Sequence, residues 1–154
     1  MDKTAPKTVA DLMNRKVITV TESDTLEHLE ESMLRLRFRH LPVVDGKKLV
    51  GLISHGDLLH ASSSFLSDKA AERNALINKV TVSRIMQREV LTVRPEELLV
   101  EAGKMMWEAK VGCLPVTDVN GNLLGIITEA DFIRLSMHLL GGDVNGLTPP
   151  PMQE

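Results

Sequence analysis

The chain repeats itself, and this duplication constrains its fold more than any other feature of the sequence. A shift of 73 residues lays Val82–Asp118 over Val9–Asp45. After one inserted residue, a shift of 74 lays Gly125–Asp131 over Gly51–Asp57. Because order, spacing and residue type persist through several segments, the sequence indicates two copies of one structural unit.

The first copy shows the signals of a strand, a helix, a hairpin and a second helix. The β-branched run Val17–Val20 predicts a strand. Apolar residues three and four apart between Leu26 and Leu36 predict a helix, which Asp24 would cap together with Glu27. Two further segments complete the copy: a hairpin, Leu41–Val44 and Lys48–Ser54 around the turn Asp45-Gly46-Lys47, and a helix from about Gly56.

The second copy carries the same signals in the same order. A strand is predicted at Val90–Val93, and Pro95 stands where the first residue of the next helix would stand. The hairpin turns at Asn120-Gly121, and the closing helix begins near Ala130. The chain is therefore predicted to be an α/β (α+β) protein of two tandem β-α-β-β-α repeats.

The predicted organisation has four parts. Residues 8–61 form repeat 1, and residues 62–80 form a polar linker that is partly helical. Residues 81–140 form repeat 2, whose last helix stops at Gly141-Gly142. Residues 141–154 contain too little apolar surface to pack, so we expect a disordered C-terminal tail.

Composition excludes several classes of partner. The net charge of −3 is spread along the chain and aromatic residues make up 3%, so no nucleic-acid partner is expected. No apolar run approaches the roughly 18 residues of a membrane span, and the polar N-terminus lacks a signal peptide. The lone Cys113 cannot form an internal disulfide. We expect a cytoplasmic protein without a membrane, metal or cofactor requirement.

Two motifs recur in both copies, and together they resemble the CBS-domain family, named after cystathionine β-synthase. Leu41-Pro42-Val43 has its counterpart in Leu114-Pro115-Val116. Each is followed by glycine, two apolar residues, Ser or Thr, two variable residues and Asp, at Gly51–Asp57 and Gly125–Asp131. The resemblance covers about residues 9–135. It implies a stand-alone pair of repeats related by a pseudo-two-fold axis and a homodimer, parallel or antiparallel. Trp107, on the first helix of the second copy, is expected either in the core or at a subunit contact.

The second motif joins a strand to a helix with a hydroxyl and a carboxylate three residues apart. Ser54 or Thr128 would lie at a helix N-terminus, where free N–H groups favour a phosphate. Asp57 or Asp131 could accept hydrogen bonds from the two cis hydroxyls of a ribose. The same spacing is also that of a capping box, which stabilises a helix by about 1 kcal/mol without any ligand.

The resemblance implies two ligand sites in the cleft between the repeats, each pairing the motif of one copy with the first strand and pre-proline segment of the other. Site A would consist of Ser54, Asp57, Leu91, Val111, Gly112, Cys113 and Pro115. Site B would consist of Thr128, Asp131, Ile18, Phe38, Arg39, His40 and Pro42. Apolar side chains there would sandwich an adenine, and backbone groups before the proline would bind its edge.

The two predicted sites differ in charge. Site B contains Arg39 and His40, and Lys16, Arg35 and Arg37 are near in sequence, so it is predicted to be the principal phosphate site. Site A has only His55 close by. Glu129, inside the second motif, would repel a phosphate if its side chain pointed inward.

The sequence therefore favours a regulatory module, not an enzyme. The module would bind an adenine nucleotide as a regulatory ligand and relay the binding of this ligand to an unknown regulated protein. AMP, ADP, ATP, S-adenosylmethionine or a dinucleotide would share the same base and ribose contacts. The alternative is a ligand-free structural or protein-interaction module in which the two Asp residues act only as helix caps. No nucleophile with a base and an orienting partner can be recognised, which disfavours catalysis.

Overall fold

A computed structural model describes residues 5–64, 72, 75–76 and 78–142, which fall into two compact units. The first, here called the Ser54 unit, comprises Val17–Val90 and Gly121–Leu123. The second, the Thr128 unit, comprises Met1–Lys16, Leu91–Asn120 and Leu124–Glu154. Most of the predicted linker and the predicted disordered tail beyond residue 142 lie outside the described residues, so these two expectations stay predictions.

In each copy the described elements include the predicted helix, hairpin and closing helix in that order, preceded by a short helix that the sequence did not predict. In chain order they are α1 (Val9–Leu12), a 3-10 turn (Leu26–His28), α2 (Leu29–Leu36), β1 (His40–Asp45), β2 (Lys48–Ser54), α3 (His55–Ser64), α4 (Val82–Ile85), α5 (Leu99–Ala109), β3 (Cys113–Thr117), β4 (Leu123–Thr128) and α6 (Glu129–Leu139). The sheets are the hairpins β1-β2 and β3-β4. The predicted α/β (α+β) fold is confirmed.

Both hairpins turn where the sequence predicts. The strands β1 and β2 are antiparallel, with His40 opposite Ser54 and Asp45 opposite Lys48. Gly46 and Gly121 lie in the turns with φ of 61° and 82°, a conformation that glycine adopts without the steric cost of a Cβ. The hairpins place Ser54 and Thr128 at the start of α3 and α6.

The strands predicted at Val17–Val20 and Val90–Val93 are wrong in extent. Each is reduced to one parallel bridge, between Val20 and Val43 or between Val93 and Val116. The Val20 N–H donates to Pro42 O (3.0 Å) and the Val44 N–H donates to Val20 O (2.9 Å). The next upstream bond of a parallel ladder would need an N–H from Pro42, which proline lacks. The ladder therefore stops before it reaches Ile18, and Pro115 stops it before Leu91 in the same way.

The predicted starts of two helices are also wrong. Asp24 is not an N-cap, because its carboxylate accepts a hydrogen bond from the Thr21 N–H (2.7 Å) and a 3-10 turn precedes α2. Pro95 lies in a turn, and α5 begins only at Leu99. The carbonyl of Pro95 instead accepts the Ala10 N–H (2.8 Å). The segments before both helices thus pair with other parts of the chain.

Each unit contains the leading segment of the other copy. In the Thr128 unit, Asn14 and Ile126 exchange two backbone hydrogen bonds of 2.8 and 2.9 Å. In the Ser54 unit, Gln87 and Leu52 do the same at 2.8 and 2.9 Å. Glycine permits this close approach, since a Cβ on Gly125 would lie 2.7 Å from Asn14 O. The repeats of the sequence and the compact units of the structure are therefore not the same pieces of chain.

Each unit has its own apolar core of aliphatic and methionine side chains. In the Ser54 unit the core includes Met33, Val43 and Ile53. In the Thr128 unit the equivalent residues Met106, Val116 and Ile127 are buried. Trp107 is not in the core, since 85% of its surface is exposed. Among the described residues, no helix has the length and apolar character required to span a membrane.

Candidate functional site

The Ser54 motif is a complete capping box at the junction of β2 and α3. Oδ2 of Asp57 accepts hydrogen bonds from the Ser54 N–H (2.7 Å) and from the Ser54 hydroxyl (2.8 Å). The Asp57 N–H donates in turn to Ser54 Oγ (3.1 Å). The two residues therefore hold each other and the first turn of the helix in place.

The second carboxylate oxygen of Asp57 lies outside this cap. Oδ1 accepts a hydrogen bond of 3.2 Å from Nε2 of Gln87, whose side chain is exposed. The backbone of Gln87 is fixed by its two bonds to Leu52. The leading segment of the second copy thus supplies a neutral partner to the motif of the first.

The pre-proline segment of the first copy lies beside this motif in the same unit. The His55 N–H donates to the carbonyl of Arg39 (2.8 Å), and His40 is opposite Ser54 in the hairpin. Nε2 of His55 is buried and has no hydrogen-bond partner among the described residues. Because Pro42 has no N–H, the carbonyl of Ile18 receives no ladder bond from it. One buried polar atom without a partner among the described residues, Nε2 of His55, therefore lies at the start of α3.

The Thr128 motif repeats the cap at the junction of β4 and α6. Oδ2 of Asp131 accepts hydrogen bonds from the Thr128 N–H (2.8 Å) and from the Thr128 hydroxyl (3.0 Å). Asp131 retains only 8% of its surface in solvent. Its Oδ1 forms an ion pair of 2.9 Å with the Arg134 guanidinium, one turn further along α6. The partner of the second oxygen is therefore a cation here.

The surroundings of the Thr128 motif are also different in charge. The Glu129 N–H donates to the carbonyl of Gly112 (3.1 Å), which repeats the bond between His55 and Arg39. Burial, with a smaller contribution from the Glu129 charge, raises the pKa of Cys113 to about 12. The thiol is thus neutral and belongs to the core, while the side chain of Glu129 is exposed.

The structure brings the predicted site residues together in two sets. The Ser54 unit contains the motif residues Ser54 and Asp57. It also contains the residues that were predicted to face Thr128 and Asp131 in site B, namely Ile18, Phe38, Arg39, His40 and Pro42. The Thr128 unit contains Thr128 and Asp131. It also contains the residues that were predicted to face Ser54 and Asp57 in site A, namely Leu91, Val111, Gly112, Cys113 and Pro115. Sites A and B as predicted each combine residues of both units and stay predictions.

Sequence reasoning missed the two residues that cover the second carboxylate oxygens. Arg134 could have been found, because a cation three residues after Asp131 lies on the same face of a helix. Gln87 could not, since it is 30 residues from Asp57 and reaches it only through the pairing with Leu52. No group of three or more metal-ligating side chains occurs in the part of the chain that the structure describes.

The arrangement can bind a polyhydroxyl compound without dismantling the helix cap. An ionised carboxylate has about four lone-pair positions. The cap uses two of them on Oδ2, and Gln87 or Arg134 uses one on Oδ1. At least one acceptor position on each Asp is left for a hydroxyl, and the helix N-terminus beside it favours an anionic group.

A duplicated α/β chain with a proline-containing strand and a Ser/Thr-x-x-Asp helix start in each copy defines a class of small tandem-repeat modules. The family model for the CBS domain matches residues 9–64 and 82–138. The chain belongs to the CBS-domain family, as two consecutive repeats.

Known proteins similar to this chain include both stand-alone pairs and larger proteins. A CBS domain-containing protein of Dictyostelium discoideum is 34% identical over 86% of this chain and 92% of its own length. An uncharacterised protein of Methanocaldococcus jannaschii is 32% identical over 82% of this chain but only 46% of its own length. The homoserine O-acetyltransferase of Methanococcoides burtonii is matched over only 24% of its length. The similarity to that enzyme thus concerns one part of it.

Two similar crystal structures contain adenosyl compounds. CBSX2 in complex with AMP is 27% identical, with a TM-score of 0.74 over 88% of this chain and 99% of that one. The CBS domain pair of protein MJ0100, in complex with 5-methylthioadenosine and S-adenosyl-L-methionine, is 26% identical, with a TM-score of 0.71 over 87% and 99%. The fold of this chain is therefore one that accommodates adenosyl ligands in other proteins.

Proposed function

We propose that this chain is a cytoplasmic regulatory module that binds an adenosyl compound and relays its presence to a regulated protein. The observation that carries the proposal is the duplicated Ser/Thr-x-x-Asp helix start, in which one carboxylate oxygen lies outside the cap. The adenosyl ligands of CBSX2 and MJ0100 support it. The module itself catalyses nothing.

Each group of such a ligand has a counterpart in the motifs. The cis hydroxyls of the ribose are donors to Oδ1 of Asp57 or Asp131. The phosphate, where there is one, is stabilised by the helix N-terminus that follows Ser54 or Thr128. The adenine edge is bound by backbone groups next to Pro42 and Pro115, where the ladder ends. Sites A and B, with site B as the principal phosphate site, remain our proposal for how these groups combine.

The test is isothermal titration of the chain with AMP, ATP, S-adenosylmethionine and 5-methylthioadenosine. Asp57→Asn and Asp131→Asn keep an acceptor oxygen for the cap but place an amide where the ribose hydroxyls bind. We expect at least one of them to weaken binding about tenfold or more, as for the loss of a charged hydrogen-bond acceptor.

Matched controls are available because the same contact, a carboxylate that accepts the backbone N–H of the residue three positions earlier, occurs elsewhere in both units. Asp11 accepts the Thr8 N–H (2.9 Å) and Asp24 accepts the Thr21 N–H (2.7 Å), both three residues away. Asp11→Asn and Asp24→Asn should leave the affinity unchanged. Failure of every adenosyl compound to bind at millimolar concentration would exclude the sensor function.

Absence of binding would favour the alternative, an interaction module in which both Asp residues only cap helices. One observation supports this candidate, since Asp57 and Asp131 do form complete caps. Loss of a cap costs about 1 kcal/mol. Under this alternative, Asp57→Ala would lower the free energy of unfolding by that amount and change nothing else.

We further propose that the module is a homodimer. Leu34 and Trp107 occupy equivalent positions in the two copies, and so do Leu59 and Ile133, and all four side chains are at least half exposed. A single exposed apolar residue is ordinary, but apolar residues exposed at the same positions of both copies favour burial against a second copy of the chain. Sedimentation equilibrium should give a dimer for the native chain and a monomer for Trp107→Lys. An unchanged mass for this variant would contradict the proposal.

A further inference from the structure

We infer that Arg134 weakens ribose binding at the Thr128 motif, so that an uncharged adenosyl ligand binds first at the Ser54 motif. The inference rests on the proposed function, because it concerns which of the two motifs receives the ribose. It follows from a difference between the units that the duplication alone does not suggest: the second oxygen of Asp57 has a neutral partner, whereas that of Asp131 has a cationic one.

The number of acceptor positions decides whether a partner must leave. A ribose donates two hydroxyl hydrogen bonds, and the carboxylate must supply two acceptor positions on one side. Oδ2 is already used by the backbone N–H and the hydroxyl of the cap in both motifs. Oδ1 has about two positions, of which one is taken. Both hydroxyls can therefore bind only when Gln87 or Arg134 gives up its bond.

Displacing Gln87 is easy. Its hydrogen bond to Asp57 is long, at 3.2 Å, and the amide is neutral and exposed. Water or the ligand itself can replace the lost partner of Nε2, so little free energy is lost. The backbone of Gln87 stays fixed to Leu52 whether or not the side chain moves.

Displacing Arg134 is harder for two reasons. Its bond to Asp131 is charge-assisted and short, at 2.9 Å, and such bonds are about twice as strong as neutral ones. The side chains of Arg134 and Asp131 are only 31% and 12% exposed, so water screens the pair incompletely. The ion pair thus competes directly with the ribose.

Adenosine is the probe that isolates this competition, because it carries the base and the cis hydroxyls but no phosphate. The Asp131→Asn background leaves Asp57 as the only motif carboxylate that can accept both ribose hydroxyls, and the Asp57→Asn background leaves Asp131. We expect adenosine to bind the Ser54 motif roughly tenfold more tightly, which is the difference between a charged and a neutral hydrogen bond.

The decisive variant is Arg134→Gln in the Asp57→Asn background. It replaces the guanidinium with the amide that the Ser54 motif has, and should tighten adenosine binding to within about twofold of that motif. Discrimination against 2′-deoxyadenosine should rise in parallel, because both hydroxyls then reach Asp131. A gain of affinity cannot arise from a folding defect.

Lys104→Gln is the matched control. Lys104 forms an ion pair of 2.8 Å with Glu101, three residues away on α5 of the same unit, with both side chains more than half exposed. Its loss should leave adenosine binding unchanged. If Arg134→Gln leaves the adenosine affinity of the Thr128 motif unchanged while binding persists, the inference is overturned and the proposed function stands. If neither adenosine nor AMP, ATP, S-adenosylmethionine or 5-methylthioadenosine binds the native chain or any variant, the proposed function fails and the inference fails with it.

Discussion

The Ser54 and Thr128 units share equivalent backbone hydrogen bonds beside the motif and carry different charges at the same positions. His55 and Glu129 follow the motif hydroxyl, and each donates its N–H to a carbonyl of the pre-proline segment, that of Arg39 or that of Gly112. The donors and acceptors match, but one unit has a histidine and an arginine where the other has a glutamate and a glycine. The two copies thus keep the backbone hydrogen bonds that the fold requires, while the side chains beside the motif differ in charge between them.

The two units resemble each other in their apolar cores, and substitutions there should have the largest effect on the free energy of unfolding. Ile53 and Ile127 occupy equivalent positions and have no exposed surface. Either Ile→Ala substitution should lower the free energy of unfolding by about 2–5 kcal/mol, through lost burial and the cavity left behind. Urea unfolding followed by circular dichroism measures both. If one of the two costs less than about 1 kcal/mol, the units do not share an equivalent core.

The glycines at the exchanged segments should give a smaller effect, of similar size in the two units. A Cβ at Gly125 would lie 2.7 Å from the backbone oxygen of Asn14, and a Cβ at Gly51 would lie 2.7 Å from Sδ of Met86 and 2.9 Å from the backbone oxygen of Gln87. Gly125→Ala and Gly51→Ala should each cost about 1–3 kcal/mol, because in both units the Cβ meets a backbone atom that cannot rotate away.

Hydrogen exchange at the amides of Asn14 and Gln87 would show whether the leading segment is displaced in these glycine variants. Gly56→Ala is the control, because its Cβ would meet only Ser54 Oγ, at 3.5 Å. A Gly125→Ala variant as stable as this control would contradict the close approach.

Cys113 should give the smallest effect, a dependence of stability on alkaline pH that has no thiol counterpart in the other copy, where His40 occupies the equivalent position. Its pKa rises from 9.0 to about 12 on folding, so the unfolded chain loses this proton first. Its contribution is complete below pH 9 and should fall by roughly 1 kcal/mol at pH 10. Comparing Cys113→Ala with the native chain at pH 8 and pH 10 isolates this effect, and equal pH dependence of the two would refute it.

The order of helix, hairpin and closing helix in each copy could be predicted from the sequence because it depends on local signals. Turn glycines, apolar spacing and the duplication placed both hairpins and both closing helices, and the CBS family is confirmed. The lengths of the first strands were wrong, although Pro42 and Pro115 were visible, because the register of a parallel bridge is a tertiary property. Gln87 was missed for the same reason, since its neighbour Leu52 is distant in sequence.

The exchange of leading segments has a consequence for how such a chain can arise. A gene encoding one repeat would produce neither unit whole, because Gly125 and Gly51 each lie against a segment from the other copy. Two separate single-repeat chains could complete each other only at a concentration high enough for them to meet. Joining them in one polypeptide makes the encounter intramolecular and independent of expression level. In this architecture, gene duplication with fusion lets the two repeats complete each other as one chain folds, so that no association of separate chains is needed.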